Sequence, residues 1–150
     1  MGDQSRVEVL CEDKKHEAFA RRLLERMGVG RRRVHVEKAP SGKGAASRWV
    51  MDRYAEVRRR ARAKRHQLRL GFLVIVDGDS EGRDARFREA HPPGNERSAD
   101  ERVALWIPTW SIETWVLWLN GADVDESTPL KHTCRFDAQI GAAITGWDAP

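Results

Sequence analysis

The residues with the clearest chemical potential are two aspartates that end an apolar segment. Residues 73–79 read Leu-Val-Ile-Val-Asp-Gly-Asp, so four aliphatic residues lead directly into Asp77 and Asp79. The apolar run predicts a strand buried on both faces, and ligands bind at strand ends in open α/β sheets. Two neighbouring carboxylates repel each other unless a cation lies between them. The pattern indicates a site for a hard divalent ion such as Mg²⁺, with a solvated Asp-Gly turn as the structural alternative.

Three glutamates are predicted to lie near these aspartates. Glu12 follows a predicted strand directly, Glu17 lies about one turn into the next helix, and Glu113 lies near the start of a later helix. In a parallel sheet these positions fall on one edge, so we expect a two-metal or metal-plus-base site there. The alternative for Glu17 and Glu113 is a first-turn acid favoured by the helix dipole. Because tryptophans flank Glu113, its carboxylate would be costly to bury without a partner.

Strands and helices alternate along the chain. Strands are predicted at residues 7–11, 33–36, 73–76 and 103–107, and helices at 14–27, 46–66, 111–119, within 80–100 and near 136–144. This alternation implies a mostly parallel sheet with right-handed crossovers. We therefore expect a single α/β domain with a four-stranded sheet and helices on both faces. Its core would span about residues 6–120, followed by an extension, and Ser111 is the predicted cap of its helix.

Composition excludes several classes of protein. The 27 basic and 23 acidic residues give a net charge of +4, which suits a polyanionic partner. The two cysteines lack metal-ligand spacing and Cys11 is predicted to be buried, so a zinc site is not expected. The five histidines also lack ligand spacing and are predicted to be structural or exposed. No segment resembles a signal peptide or a membrane span, so a soluble cytoplasmic protein is expected.

Basic residues on the predicted long helix suggest contact with nucleic acid. Four arginines recur every three or four residues near one face: Arg58, Arg62, Arg65 and Arg69. The guanidinium fork suits phosphate, although a solvated helix face is the alternative. Lys43 lies in a glycine-containing loop that lacks the Walker A pattern. That lysine could contact phosphate, or the loop could be a flexible connector.

The order of these motifs resembles the TOPRIM domain, and most closely its nuclease branch, which includes the OLD family and the RloB-like proteins of bacterial defence loci. Residues 11–19, Cys-Glu-Asp-Lys-Lys-His-Glu-Ala-Phe, are similar to the family's Glu-Gly-x-Thr/Ser-Glu/Asp start. Residues 107–115, Ile-Pro-Thr-Trp-Ser-Ile-Glu-Thr-Trp, are similar to its Pro-x-x-(apolar)-Glu-x-Trp segment. Two positions differ from the family pattern: Asp13 replaces the usual glycine, and Glu17 appears one position late.

The resemblance implies a Mg²⁺- or Mn²⁺-dependent nuclease that cleaves DNA or RNA in bacterial phage defence. Asp77 and Asp79 would hold the metal, and Glu12 would share it or act as general base. Glu113, and with it Glu17, would complete a second metal position. The metal would lower the pKa of an attacking water and neutralise charge on the phosphate. Topoisomerase chemistry is not expected, because the only tyrosine, Tyr54, lies on the predicted core stripe of a helix.

The sequence also allows two functions other than a nuclease, and it suggests partners for the chain. Asp77-Gly-Asp-Ser after an apolar strand also resembles the nucleophile motif of HAD-like phosphatases, and the same fold could serve as a catalytically silent binding module. Relatives in defence loci act beside an ABC-type ATPase. The tryptophan-rich segment 106–118 and the residues after Gly121 are the surfaces expected to dock such a partner or a second copy of the chain. The alternative is that these tryptophans fill the core.

Overall fold

The computed structural model describes residues 4–41, 45–130 and 134–145, and it confirms the predicted α/β fold. Within these residues, four strands alternate with helices. The strands are β1 (Arg6–Cys11), β2 (Val34–Lys38), β3 (Leu70–Ile75) and β4 (Val103–Trp106). The α-helices are α1 (Lys14–Arg26), α2 (Ala46–Ala63), α3 (Arg83–Ala90), α4 (Ile112–Leu119) and α5 (Phe136–Thr145), and a short 3-10 turn precedes β2.

All four strands are parallel, in the order β2-β1-β3-β4. The register pairs Cys11 with Lys38 and with Ile75, and Ile75 with Trp106. The four strands therefore end at nearly the same level, and the residues that follow them share one edge of the sheet. We call this the carboxyl edge. It is the edge at which ligands bind in open parallel sheets.

Helices cover both faces of the sheet. Successive strand residues point to opposite sides, so a strand that is apolar throughout must be covered on both faces. Val74 and Val76 pack with Val50 and Tyr54 of α2 on one face. Leu73 and Ile75 pack with α1 on the other face. The predicted double-sided burial of the strand before Asp77 is confirmed, although β3 begins at Leu70, three residues before the predicted start.

The C-terminal helices extend the α1 side of the core. A third apolar cluster joins α1, α4 and α5 through Phe19, Leu23, Ile112, Val116, Phe136 and Ile140. Trp106 and Trp115 pack against Phe19, with ring centroids 6.3 and 5.9 Å away. Trp118, by contrast, is 62% exposed. Trp106 and Trp115 are therefore partly buried against the core, whereas Trp118 is mostly exposed, and the docking surface stays a prediction.

The prediction of one continuous arginine face on the long helix is wrong. Helix α2 ends at Ala63, so Arg65 and Arg69 follow it and lie on the exposed surface beyond it. Arg58 is 2% exposed and donates two hydrogen bonds to Glu101, at 2.8 and 3.1 Å. Its guanidinium is thus part of a buried ion pair, because an unpaired charge would be costly there.

Arg62 and Lys43 are the other two basic residues that were predicted to contact nucleic acid. Arg62 remains partly exposed and donates to the same carboxylate from its Nε at 2.7 Å. Lys43 lies outside the described residues.

No helix among the residues described is long and apolar enough to cross a membrane.

Candidate metal centre

A buried group of three ligand-type side chains lies at the carboxyl edge. Glu12 follows β1, Asp77 follows β3 by two residues, and His16 lies in the first turn of α1. Their relative exposures are 8%, 5% and 0%. One ligand atom from each lies within 4.8 Å of the others, so the group could hold a metal ion. The convergence of Glu12 and Asp77, predicted from the parallel sheet, is present in the structure.

Short hydrogen bonds fix the two carboxylates relative to each other. Glu12 Oε2 accepts from the backbone N–H of Asp77 at 2.7 Å. His16 Nε2 lies 2.9 Å from Asp77 Oδ1 and 3.8 Å from Glu12 Oε2. The N–H of Glu12 points at His16 Nδ1 across 3.4 Å, so a neutral ring carries its proton on Nε2 and donates it to Asp77. His16 therefore holds Asp77 in place by a hydrogen bond.

Asp77 also caps helix α4. The N–H of Ile112, the first residue of that helix, donates to Asp77 Oδ1 at 3.0 Å. Ser111 stands at the predicted cap position, but its side chain makes no capping hydrogen bond. Helix N-termini favour negative charge, so Asp77 takes over this role. The carboxylate is thereby anchored from α1 and from α4 at once.

Glu12 and His16 have shifted pKa values. Burial, and then the nearby charge of Asp77, raise the pKa of Glu12 to about 7. Burial of His16 favours its neutral form, but the hydrogen bond to Asp77 and the charge of Asp77 outweigh this and raise its pKa. A divalent cation would relieve the repulsion between the two carboxylates.

His16 is the site residue that the sequence reasoning missed. Asp13 caps α1, since its Oδ1 accepts from the backbone N–H groups of Lys15 and His16 at 2.9 and 3.0 Å. The capped first turn points His16 inward, four residues after Glu12. Asp13 therefore has a clear structural function as the cap of α1. The spacing Glu12-x-x-x-His16 at a strand-to-helix junction was the available signal.

The other acids predicted for the site are each paired with a basic side chain. Glu17 accepts from Lys38 Nζ at 2.7 Å and from Arg21 Nε at 2.8 Å. Glu113 accepts from Lys15 Nζ at 2.6 Å, which confirms that this buried carboxylate needs a partner. Asp79 lies 3.5 Å from Nη2 of the buried Arg86. The group of three ligand-type side chains does not include these acids.

Their pKa values reflect this pairing. The hydrogen bond from Lys38 lowers the pKa of Glu17. For Glu113, burial favours the neutral form, but the hydrogen bond from Lys15 outweighs it and the pKa is lowered. Both carboxylates are therefore held in their charged form by a neighbouring ammonium group.

Gly78 lies between the two aspartates, and a glycine is required there because other backbone segments pass close to it. Its N–H donates to Pro108 O at 2.9 Å, and a Cβ here would lie 3.0 Å from that oxygen and 3.3 Å from Arg83 N. The next residue, Asp79, has a left-handed φ of 48° and donates its N–H to Trp110 O at 3.0 Å. The loop after β3 is thus held against the loop after β4.

We expect Gly78→Ala to destabilise the protein by about 1–3 kcal/mol, because both crowded atoms belong to the backbone. The same displacement should weaken Mn²⁺ binding. Urea unfolding and calorimetric titration measure the two effects. Gly71→Ala in β3 is the matched control, since a Cβ there meets no atom within 4 Å. Equal stability of the two variants would show that the Gly78 contact is unimportant.

The donor set suits a divalent ion. Carboxylate oxygens bind Mg²⁺ and Mn²⁺, while an imidazole nitrogen favours later transition metals. Comparison of the chain with protein-family models, with curated proteins and with solved structures gives no significant match.

Proposed function

We propose that this protein is a Mg²⁺- or Mn²⁺-dependent nuclease of TOPRIM type that hydrolyses phosphodiester bonds in DNA or RNA, as an effector of bacterial phage defence. The observation that carries the proposal is the buried group of Glu12, His16 and Asp77 at the carboxyl edge. Two of its members end neighbouring parallel strands, as the TOPRIM resemblance implies. A bound divalent ion would activate a water molecule and neutralise charge on the phosphate.

The hydrogen bonds suggest a role for each residue. Glu12 and Asp77 would hold the ion, because each is a buried carboxylate whose charge repels the other. We assign Glu12 to the ion rather than to proton transfer, since a bound cation would offset both the burial and the repulsion from Asp77 that raise its pKa. His16 would orient Asp77 through Nε2. Such hydrogen-bonding partners of metal ligands typically change metal affinity by about 10–100-fold when removed.

Arginines in a surface groove support a phosphate-containing substrate. The two lysines at the carboxyl edge, Lys15 and Lys38, are paired with Glu113 and Glu17, so the basic groups available to a substrate lie elsewhere. A surface groove of about 1040 Å³ runs between α3 and the segment after β4, and Arg83 and Arg88 line it together with three acidic residues, Glu81, Asp84 and Glu126. Arginine side chains suit contact with a nucleic-acid backbone.

A cleavage assay tests the proposal directly. Supercoiled DNA, linear DNA and tRNA are each incubated with the protein in Mn²⁺, in Mg²⁺ and in EDTA. We expect cleavage of at least one substrate with metal and none in EDTA. Binding of Mn²⁺ without cleavage of any of the three substrates would argue against a nuclease.

Binding of Mn²⁺ without cleavage of any substrate would favour a catalytically silent binding module. The specific observation in its favour is that Glu17, Asp79 and Glu113 already have basic partners. A HAD-like phosphatase would instead form a phospho-aspartate at Asp77, which a fluoride analogue of phosphate would trap. Absence of trapping, with metal-dependent cleavage present, would separate the nuclease from both alternatives.

The raised pKa of Glu12 predicts a pH-dependent stability in metal-free protein. The folded protein holds the Glu12 proton to about pH 7, whereas the group ordinarily releases it near 4.5. Glu12 therefore lowers stability as the pH rises from about 4.5 to about 7. We expect Glu12→Gln to be more stable than the natural protein at pH 8, by an amount on the order of 2 kcal/mol, and nearly equal to it at pH 4.5.

Urea unfolding in EDTA across this pH range measures the difference. Adding Mn²⁺ at pH 8 should stabilise the natural protein more than Glu12→Gln, because only the former gains a carboxylate ligand. A stability difference that does not change with pH would contradict the burial of an ionisable Glu12.

A further inference from the structure

We propose that the site takes a single divalent ion per chain, because Lys15 pairs with Glu113 and so occupies the acid that a second ion would need. This inference rests on the proposed function and specifies its metal stoichiometry. It differs from the two-ion arrangement in which Glu113 and Glu17 complete a second metal position.

The contact between Lys15 and Glu113 is built into the fold. Lys15 Nζ lies 2.6 Å from Glu113 Oε1; the glutamate side chain is only 3% exposed, whereas the lysine side chain is 45% exposed. The lysine backbone N–H donates to the Asp13 carboxylate, which fixes Lys15 in the first turn of α1. Its ammonium group also lies 5.7 Å from the centroid of the Phe136 ring in α5. Elements from α1, α4 and α5 therefore converge on this one charge.

This ion pair is directly connected to the metal group. Glu113 follows Ile112, whose N–H donates to Asp77 Oδ1 at 3.0 Å. The acid that binds the lysine is thus one residue along α4 from the backbone N–H that binds Asp77. Hydrogen bonding to Glu113 raises the pKa of Lys15, so the ammonium form is favoured.

The remaining acids are neutralised in the same manner. Glu17 is bound by two basic side chains, Lys38 and Arg21. Asp79 lies 3.5 Å from Arg86, whose side chain is 5% exposed and which also faces Glu81 and Glu89 at 3.4 and 3.9 Å. Two divalent ions in one site lie about 3.5–4 Å apart, and their mutual repulsion requires several carboxylates between and around them. Three of the five predicted acids already compensate the protein's own cations.

The lysine and its neighbour provide a matched pair of variants. Lys15→Met removes the ammonium but keeps the apolar stem, and it leaves Glu113 as an unpaired carboxylate. Lys14→Met changes the adjacent exposed residue and serves as the control. The number of Mn²⁺ ions per chain is measured by equilibrium dialysis with elemental analysis, and electron paramagnetic resonance detects coupling between paired ions.

We expect one Mn²⁺ per chain in the natural protein and in Lys14→Met, and a second, weaker ion in Lys15→Met. The double variant Lys15→Met/Glu113→Gln should return to one ion. Two coupled ions in the natural protein would overturn the inference, and so would a single ion in well-folded Lys15→Met. No bound Mn²⁺ in the natural protein would overturn the proposed metal-dependent function itself, which distinguishes the two failures.

Lys15→Met leaves a buried carboxylate unpaired and could unfold, so Glu113→Gln provides an independent test. The amide can still accept a hydrogen bond from Lys15. If Glu113 holds no ion, Glu113→Gln keeps one Mn²⁺ per chain. Its dissociation constant should shift by less than the roughly 10–100-fold that loss of a ligand's supporting partner causes. A larger shift, or loss of an ion, would show that Glu113 is a ligand and overturn the single-ion arrangement.

Discussion

Asp77→Asn is expected to lower metal-dependent cleavage by about a thousand-fold or more while leaving the fold intact. Loss of the charge removes a ligand from the ion, and a metal ion contributes several kcal/mol of charge stabilisation in the transition state. About 4 kcal/mol corresponds to a thousand-fold in rate. The asparagine oxygen can still accept from Ile112 N–H and from His16, so the cap of α4 is kept. Single-turnover cleavage at saturating protein measures the loss.

Three measurements make this result specific. Circular dichroism confirms that Asp77→Asn is folded, and calorimetry should show weakened Mn²⁺ binding in parallel with the lost rate. Asp52→Asn on α2 removes an equal charge from an acid whose side chain is 62% exposed, and it should cleave normally. For the second aspartate, Asp79→Asn is preferable to Asp79→Ala, because asparagine tolerates the left-handed backbone at this position. Undiminished cleavage by Asp77→Asn would rule out the proposed mechanism.

The sheet could be predicted because its signals are local. An apolar run of β-branched residues gives a strand, and alternation with amphipathic helices gives a parallel sheet. The convergence of Glu12 with Asp77 follows from that topology alone. The ends of the elements were predicted less accurately than their order. The predicted third strand begins at residue 73, whereas β3 begins at Leu70. The helix α2 stops at Ala63 although basic, helix-compatible residues follow it.

The partners within the site could not be predicted, because they depend on tertiary contacts. Lys15 and Glu113 are 98 positions apart, and no local pattern joins them. The sequence predicts His16 to be structural or exposed because it lacks ligand spacing. In the structure, however, the capped first turn of α1 directs its side chain towards Asp77. Periodicity also placed Arg58 on a solvated or nucleic-acid-binding face. Its burial depends on Glu101, which comes from a loop far along the chain.

That buried pair leads to the largest predicted effect on stability. Arg58 Nε and Nη2 donate to the two oxygens of Glu101, and Nη1 donates to Asn95 O at 2.6 Å. Loss of Arg58 leaves the buried Glu101 with the partly exposed Arg62 as its basic partner, and loss of the Glu101 charge leaves Arg58 buried against backbone carbonyls. We expect Arg58→Met and Glu101→Gln each to cost about 3–5 kcal/mol in urea unfolding at pH 7. Arg65→Met, on the exposed surface, should change stability by less than about 0.5 kcal/mol.

The same pair predicts how the protein responds to acid. Burial opposes the charged form of Glu101, but the hydrogen bonds from Arg58 and Arg62 outweigh it and lower the pKa to about 2. A lowered pKa means that the contribution is complete above the ordinary value of 4.5 and is lost as the pH falls towards 2. The stability difference between the natural protein and Glu101→Gln should therefore shrink over this interval. If Arg58→Met instead kept full stability and only weakened nucleic-acid binding, the arginine would serve the surface role that its spacing predicts, and its burial against Glu101 would be wrong.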